Sequence, residues 1–296
     1  MEILLLVVET GSLSAAARKH RLPLATVSRK LAALERKLGA SLLLRGQRRV
    51  TLTEVGRAYV DAIRPLLEQL KDAEQVAAGE FREPQGELAV TAPVLFGRRY
   101  AAPLVMTFLR QHATVRGRLV LTDRHLNLRE DRIDVAIRIG EVEDPTLIAV
   151  NVGSVRRVIC ASPAYLSQRG RPRSPEDLAS HDAVLFDGYS SARSWSLFRG
   201  AAAVTVQPAF RLVVNDTEAA VDGAVAGFGF VRALSYQVDD LLKTGALTLV
   251  LNEFEPAPIP VRLVYAAREP LPRKIRAFVD WARPRLRERL ARAAAP

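Results

Sequence analysis

Apolar residues open the chain in one short run, Ile3 to Val8, and then return at helical intervals. They predict a second short helix over Ser12 to His20 and a third over Leu24 to Leu38, in which Val27, Leu31, Leu34 and Leu38 share a face. Packed inward, that face leaves Ala25, Thr26, Ser28, Arg29 and Lys30 around the outer side, near the start of the third helix. Ser12 stands where the second helix needs a cap, and Pro23 fixes the turn before the third without removing a donor the helix would use. The two helices, joined by little more than Arg21-Leu22-Pro23, are expected to meet at an angle.

The spacing then changes. Ser41 to Thr53 reads as strand, turn and strand, with the turn around Gly46-Gln47 and Arg45, Arg48 and Arg49 at its tip, a basic wing. Thr51 and Glu54 have the T-x-x-E spacing of a capping box, and the helix they begin runs well past Gly56. Within it Val60, Ile63, Leu67 and Leu70 alternate steps of three and four, the seam of a pairing helix; packing on its own domain is the alternative. Pro65 inside that seam predicts a kink or a break. Gly79 to Glu87 reads as a hinge or linker.

Beyond the linker, strand-like and helical stretches alternate, which predicts an α/β fold with a parallel sheet. Glu87 to Ala92 reads as a strand before a helix starting near Pro93, Gly117 to Thr122 as a strand before another helical stretch, and Asp134 to Gly140 as the next strand. A second such unit starts after Arg156 to Tyr165 and runs through Val264. Pro272 to Leu290 predicts a final amphipathic helix with Ile275, Phe278, Val279 and Leu286 against a sheet, and the Arg/Ala-rich end from Arg283 to Pro296 is expected to be solvated or frayed. Ala226 to Phe230, with its two glycines, reads as a turn closing a helix rather than a nucleotide loop.

Length and charge sharpen the picture. A chain of 296 residues is expected to form two or three folding units. Its formal net charge is +11 and its pI near 10.3. The excess is uneven, for eleven bases face four acids between Met1 and Val60, a net of +7. That clustering favours a polyanionic partner such as nucleic acid. The early apolar run is too short to cross a bilayer and follows Glu2 rather than a basic segment, so no membrane partner and no signal peptide are expected, and the cytoplasm fits.

Cys160 is the single cysteine, which excludes an intrachain disulfide and a cysteine-built zinc site; in its apolar run it reads as a buried small hydrophobe. His20, His112, His125 and His181 show no metal-ligand spacing, no nucleophile elbow or phosphate loop is present, and Asp239-Asp240 reads as a solvated helix face. Neither an enzyme nor a cofactor nor a metal is expected. The chemistry that remains is a helix-turn-helix with its second helix in the major groove: Arg29 for a guanine edge, Thr26 and Ser28 for a base or phosphate, Arg48 and Arg49 for phosphates or a narrow minor groove. A three-helix core with a solvated basic face is the alternative.

The stretch ETGSLSAAARKHRLPLATVSRKLAALERKLGASLLLRGQRRVTLTEVGRAY, Glu9 to Tyr59, resembles the DNA-binding segment of LysR-type transcriptional regulators. TAPVLFGR, RIDVAIRIG, VRRVICASPAYL and NDTEAAVDGAVAGFGF extend the resemblance through the remainder. It implies an α + α/β fold: a winged helix-turn-helix over residues 1–58, a dimerising linker helix and hinge over 59–84, and an effector domain over 85–296. That domain would comprise two α/β subdomains resembling periplasmic solute-binding proteins, subdomain I about 85–160 and 267–296 and subdomain II about 161–266.

The resemblance also implies DNA contacts from Ser12, Ala25, Thr26, Ser28, Arg29, Lys30, Arg45, Arg48 and Arg49. A small-molecule effector between the subdomains would meet Ala92, Pro93 and Val94, Arg138 and Ile139, Asp216 and Thr217, and Phe228. Helix starts at these sites suit an anionic or polar effector, against the alternative that Arg138 pairs with a structural carboxylate beside a small or apolar pocket. The partners implied are double-stranded promoter DNA, the effector, further copies of the chain in a homodimer or homotetramer, and RNA polymerase.

Three departures from the family pattern stand out. The family has several residues ahead of the position of Met1. His20-Arg21 stands where Leu-Gly is usual, and losing a glycine from a left-handed helix end costs on the order of 1 kcal/mol. Gly46-Gln47 replaces a polar pair in the wing. The rival reading is a solute-binding protein with an N-terminal dimerisation module, against which stand the clustered charge and the lack of a signal peptide.

Overall fold

Three short helices open the chain in the computed structural model, which describes residues 1–45, 50–77, 83–188, 193–268 and 270–294. They are α1 (Glu2–Thr10), α2 (Leu13–Lys19) and α3 (Leu24–Leu38). Leu4 and Val7 of α1, Ala16 and Ala17 of α2, and Val27 and Leu31 of α3 close one core. Leu38, expected inward, is exposed: it belongs to the last turn of α3, which Gly39 ends at φ 63, and Leu34 is the final half-buried position on that face. Ser12 caps α2, its Oγ accepting the Ala15 N–H at 3.4 Å.

The turn between α2 and α3 closes with the Leu22 N–H donating to the Ala17 carbonyl at 2.9 Å and the Arg21 N–H to the Arg18 carbonyl at 3.2 Å. Arg21 takes φ 52, the left-handed region that a side chain with a Cβ adopts at a cost of about 1 kcal/mol.

Strands β1 (Leu43–Arg45) and β2 (Val50–Leu52) pair antiparallel, Leu43 opposite Leu52 and Arg45 opposite Val50. Gly46, Gln47, Arg48 and Arg49 lie outside the described residues. Helix α4 spans Glu54–Ala77, and its cap is Thr53 rather than Thr51. Thr51 is held in β2 opposite Leu44, whereas the Thr53 hydroxyl accepts the Gly56 N–H at 2.9 Å and donates to the Ser41 carbonyl at 2.8 Å. Glu35 adds a second tie, its Oε1 accepting the N–H groups of Leu42 at 2.8 Å and Leu43 at 3.2 Å.

Gly56 lets α4 lie against this corner, because a Cβ there would stand 2.0 Å from the Leu42 carbonyl oxygen. Val60, Ile63 and Leu67 turn into the same core as the first three helices, so most of the expected pairing seam packs at home. Val55, Ala62, Leu66 and Leu70 instead form an exposed apolar stripe on another side of α4. Contrary to the expected break, α4 runs through position 65; packed residues on either side, Ile63 and Leu67, offset the one backbone hydrogen bond a proline removes.

Contacts divide the chain into two units, Met1–Arg82 and Glu83–Pro296. The second unit contains two five-stranded sheets. In its first part come β3 (Gly86–Ala92), α5 (Val94–Phe96), a π turn, α6 (Ala102–Gln111), β4 (Val115–Leu121), β5 (Val135–Ile139) and β6 (Leu147–Val155). The next part supplies β7 (Arg157–Ala161), α7 (Pro163–Arg169), β8 (Asp182–Phe186), β9 (Trp195–Arg199), β10 (Ala202–Val206), β11 (Ala209–Val214), α8 (Thr217–Val225), β12 (Phe230–Leu234), α9 (Ser235–Lys243) and β13 (Thr248–Val250). The chain then returns as β14 (Ile259–Ala266) and ends in α10 (Arg273–Ala294).

The first sheet has the order β4-β3-β5-β14-β6 and the second β11-β8-β12-β7-β13, and in each the fourth strand alone runs antiparallel to its neighbours. The sheets are therefore mixed rather than parallel throughout. Ile259 to Ala266, expected in subdomain II, pairs with β5 and β6 in the first sheet, while β7, expected at the end of subdomain I, belongs to the second. No helix follows β4: Asn127 and Asp131 bond nearby backbone N–H groups and hold residues 122–134 as turns, with Leu128 and Ile133 buried beneath.

Ile275, Phe278, Val279 and Leu286 of α10 are buried, and the helix continues to Ala294; beyond Trp281 only Ala282, Leu286 and Leu290 are buried among the described residues, so the Arg/Ala-rich segment is helical with most of its side chains solvated. Cys160 is fully buried in β7, and burial pushes its thiol up to about 12. Gly227 and Gly229 form the turn into β12 at φ 82 and 138; a Cβ on Gly229 would stand 2.2 Å from the Asp182 carbonyl oxygen.

Two substitutions test the N-terminal unit. Arg21→Gly is expected to raise its stability by about 1 kcal/mol by relieving the left-handed turn. Gly56→Ala is expected to lower it by about 2–3 kcal/mol by forcing α4 off Leu42. Urea denaturation read by circular dichroism measures both.

Candidate functional site

At about 100° per residue along α3, Ala25 and Arg29 lie opposite the buried Val27 and Leu31, with Thr26 and Lys30 on one flank and Ser28 on the other. Ala25, Arg29 and Lys30 are exposed, and Thr26 and Ser28 half-buried. Arg18 and Lys19 end α2 on the same unit. The one acid of α3, Glu35, is turned to the backbone of Leu42 and Leu43 and stays off this face. Ser12 is engaged as the cap of α2. Arg45 joins β1 by its backbone, and Arg48 and Arg49 fall outside the described residues.

In the second unit, the C-terminal ends of parallel strands from both sheets converge on a cavity of about 520 Å³. β3 and β5 of one sheet and β8 and β12 of the other end there, the position at which open α/β sheets receive ligands. Ala92, Pro93, Arg138, Ile139 and Thr217 line it; Val94, Asp216 and Phe228 do not. Asp216 instead caps α8, its Oδ1 accepting the Ala219 N–H at 2.8 Å, and Phe228 is exposed in the turn after α8.

The electrostatics of the cavity differ from expectation. The helix start at Val94 donates its N–H to Asp123 Oδ1 at 3.1 Å, and α8 is capped by Asp216, so both helix starts are already served by carboxylates of the chain. Arg138 is held by the Leu126 carbonyl at 2.9 Å; burial lowers its pKa, and the charge of Asp144 acts the other way. Tyr236 is buried at the cavity wall, edge-on to Phe96 and Tyr100, and burial raises its pKa. Its hydroxyl accepts from the Gln237 amide at 3.3 Å, while the Gln237 carbonyl accepts the Leu234 N–H at 2.8 Å.

Sequence reasoning missed Thr122, Asp123, Arg157, Phe186, Tyr236 and Gln237. They come from four separate places, the turn after β4, the start of β7, the end of β8 and the start of α9, and only the positive charge of Arg157 or the helix-start position of Gln237 signals any of them locally. Outside the cavity lining, Arg98 pairs with Glu218 of α8 at 2.5 Å, and Arg99 donates to the Tyr236 carbonyl at 2.6 Å. Among the described residues, no helix is long and apolar enough to cross a membrane.

Comparison with known proteins joins the two halves. Residues 1–57 match the family model of the bacterial regulatory helix-turn-helix protein of the lysR family, and residues 81–287 that of the LysR substrate binding domain. A probable HTH-type transcriptional regulator, LtrA, of Klebsiella pneumoniae is 31% identical over 93% of this chain and 90% of its own. An HTH-type transcriptional regulator of Xanthomonas campestris is 34% identical over 95% and 83%.

Among solved structures, CrgA, a LysR-type transcriptional regulator of Neisseria meningitidis, is 30% identical, with 97% of this chain and 98% of that one covered at a TM-score of 0.61. The full-length virulence activator AphB of Vibrio cholerae, a member of the LTTR protein family, is 28% identical, with 95% and 96% covered at the same TM-score of 0.61. The chain therefore belongs to the LysR-type transcriptional regulators, DNA-binding proteins with a substrate-binding effector domain that regulate transcription and are not enzymes.

Proposed function

We propose that α3 carries the base-reading face and lies in the major groove of double-stranded promoter DNA. The observation that carries this reading is the opposition on one helix of Ala25 and Arg29 to the buried Val27 and Leu31, with the acid of that helix turned away. Arg29 reads a base edge through its forked donors, Thr26, Ser28 and Lys30 flank it, and Ala25 gives the backbone room to approach. Ser12, at the start of α2, and the wing residues Arg45, Arg48 and Arg49 hold the phosphates.

The cavity between the two sheets receives the small-molecule effector, with Ala92, Pro93, Arg138, Ile139 and Thr217 among its walls. Val94, Asp216 and Phe228 act at one remove, through the helix starts and the turn beside it. Two copies pair through the apolar stripe of Val55, Ala62, Leu66 and Leu70 on α4, and the resulting homodimer, alone or doubled to a homotetramer, presents two reading heads to two half-sites. The protein acts in the cytoplasm, with RNA polymerase as a further partner at the promoter. An effector shifts the arrangement of the heads only by its differential affinity for two assembly states, so it need not touch DNA.

Arg29→Ala is expected to lose about 1–3 kcal/mol on the preferred duplex and to relax base preference, with random DNA bound nearly as before. Arg48→Ala is expected to weaken all sequences alike and to reduce the salt slope by about 1. Anisotropy titrations on operator variants and random duplexes at several salt concentrations separate the two patterns. Equal losses on specific and random DNA for Arg29→Ala remove it as the base reader.

A further inference from the structure

The large cavity shares a wall with a second chamber of about 210 Å³ in the lobe of the second sheet. Arg157, Phe186, Leu234 and Gln237 line both spaces, and Trp195 and Arg232 lie deeper, in the chamber alone. The two arginines arrive there by register. β7 and β12 run antiparallel with Arg232 opposite Ile159 and Leu234 opposite Arg157, so the two arginines stand diagonally on one face of neighbouring strands.

Two arginines on one face of neighbouring strands repel, and the surroundings do little to relieve them. Arg232 is half-buried with its guanidinium 5.7 Å from the centre of the buried Trp195 ring. Burial lowers its pKa, the charge of Arg157 lowers it further, and together they bring it to about 10. Arg157 is the more exposed of the two, and partial loss of solvent lowers its pKa as well. Among the described residues no carboxylate answers either one: no acid acts on their titration and neither forms an ion pair.

The other cations around the system are answered. Arg98 pairs with Glu218, Arg99 with Asp240 at 3.4 Å and Arg156 with Glu255 at 3.4 Å. Arg138 has a carbonyl, and both helix starts facing the large cavity have carboxylates. The chamber is thus where positive charge is left over, with an aromatic wall beside it.

We infer that the chamber binds the anionic group of the effector, a carboxylate or phosphate gripped between Arg157 and Arg232 beside Trp195, with the body of the molecule extending into the large cavity. The ligand class is a small organic anion. Forked guanidinium donors match the paired oxygens of such a group, and its charge removes the repulsion between the two arginines. The inference rests on the reading of the cavity as the effector site.

The test uses the full chain carrying Trp281→Phe, so that Trp195 is its remaining tryptophan. Sodium benzoate, sodium succinate and inorganic phosphate are titrated in turn against sodium chloride at matched ionic strength, with Trp195 fluorescence and the melting midpoint as readouts. At least one anion is expected to give a saturable fluorescence change and a raised midpoint that chloride does not give; phosphate or the carboxylates responding alone identifies the group. Arg232→Gln and, independently, Arg157→Gln are expected to raise the half-saturating concentration by about tenfold or more.

A response that both variants keep, or no response to any of the three anions, overturns the inference. DNA affinity measured with and without the responding anion tests the effector reading separately. If Trp195 reports binding that the arginine variants weaken but DNA affinity does not move, the anion site stands and its role as an effector site fails.

Discussion

The effector half depends on two crossings of the chain between its sheets. The first, at Val155 to Arg157, delivers β7 to the second sheet; the return delivers β14 to the first. Each incoming strand takes the fourth place in its sheet; the second sheet is built from the one continuous segment from β7 to β13, whereas the first is complete only when β14 returns between β5 and β6. Val261, Leu263 and Val264 of β14 are wholly buried, which fixes that return in the core. The first crossing is pinned by a reciprocal pair: Ser235 donates its backbone N–H to the Arg156 carbonyl at 2.8 Å, and Arg156 its own to Ser235 Oγ at 3.2 Å.

This arrangement separates a firm side of the cavity from a softer one. At the crossings the two lobes are joined covalently and by backbone bonds. Away from the crossings, the Arg98–Glu218 pair joins two exposed side chains, a contact of about 0–1 kcal/mol. A ligand that favours one opening over the other by a few kcal/mol is therefore enough to shift the balance, the scale on which coupling between sites operates.

Where the acids lie sets the chemistry of both units. In the N-terminal unit Glu35 is engaged by the backbone of Leu42 and Leu43, which leaves the outer face of α3 cationic and ties the start of β1 to that helix. In the effector half Asp123 and Asp216 occupy helix starts that looked open to a ligand, while among the described residues no acid pairs with Arg157 or Arg232. The anion locus we infer therefore lies at a pair of side chains rather than at helix ends.

Local signals were legible where local physics decides. The bounds of α3 follow from its apolar period, Pro23 and Gly39, and Ser12 as a cap follows from its position before a short helix. Thr51 and Thr53 stand two residues apart with similar spacing to acids or helix starts, and strand pairing alone assigns Thr51 to β2. The helix expected after β4 fails because Asn127 and Asp131 capture their own backbone, and β14 was misplaced because antiparallel return pairing is a property of the whole sheet. The chamber was illegible for the same reason: Arg157 and Arg232 become neighbours only through the register of β7 and β12.

The central claim is that the paired chain reads a DNA sequence. Its most direct test is a fluorescence-anisotropy titration of the full chain against its own upstream intergenic duplex and a shuffled duplex of the same composition, across a range of salt. The account predicts tighter binding to the native duplex by a factor on the order of a thousand or more, with a steep negative slope in log K against log salt on both. Binding that is equal on native and shuffled duplexes and on other promoter fragments, or absent at low salt, contradicts it.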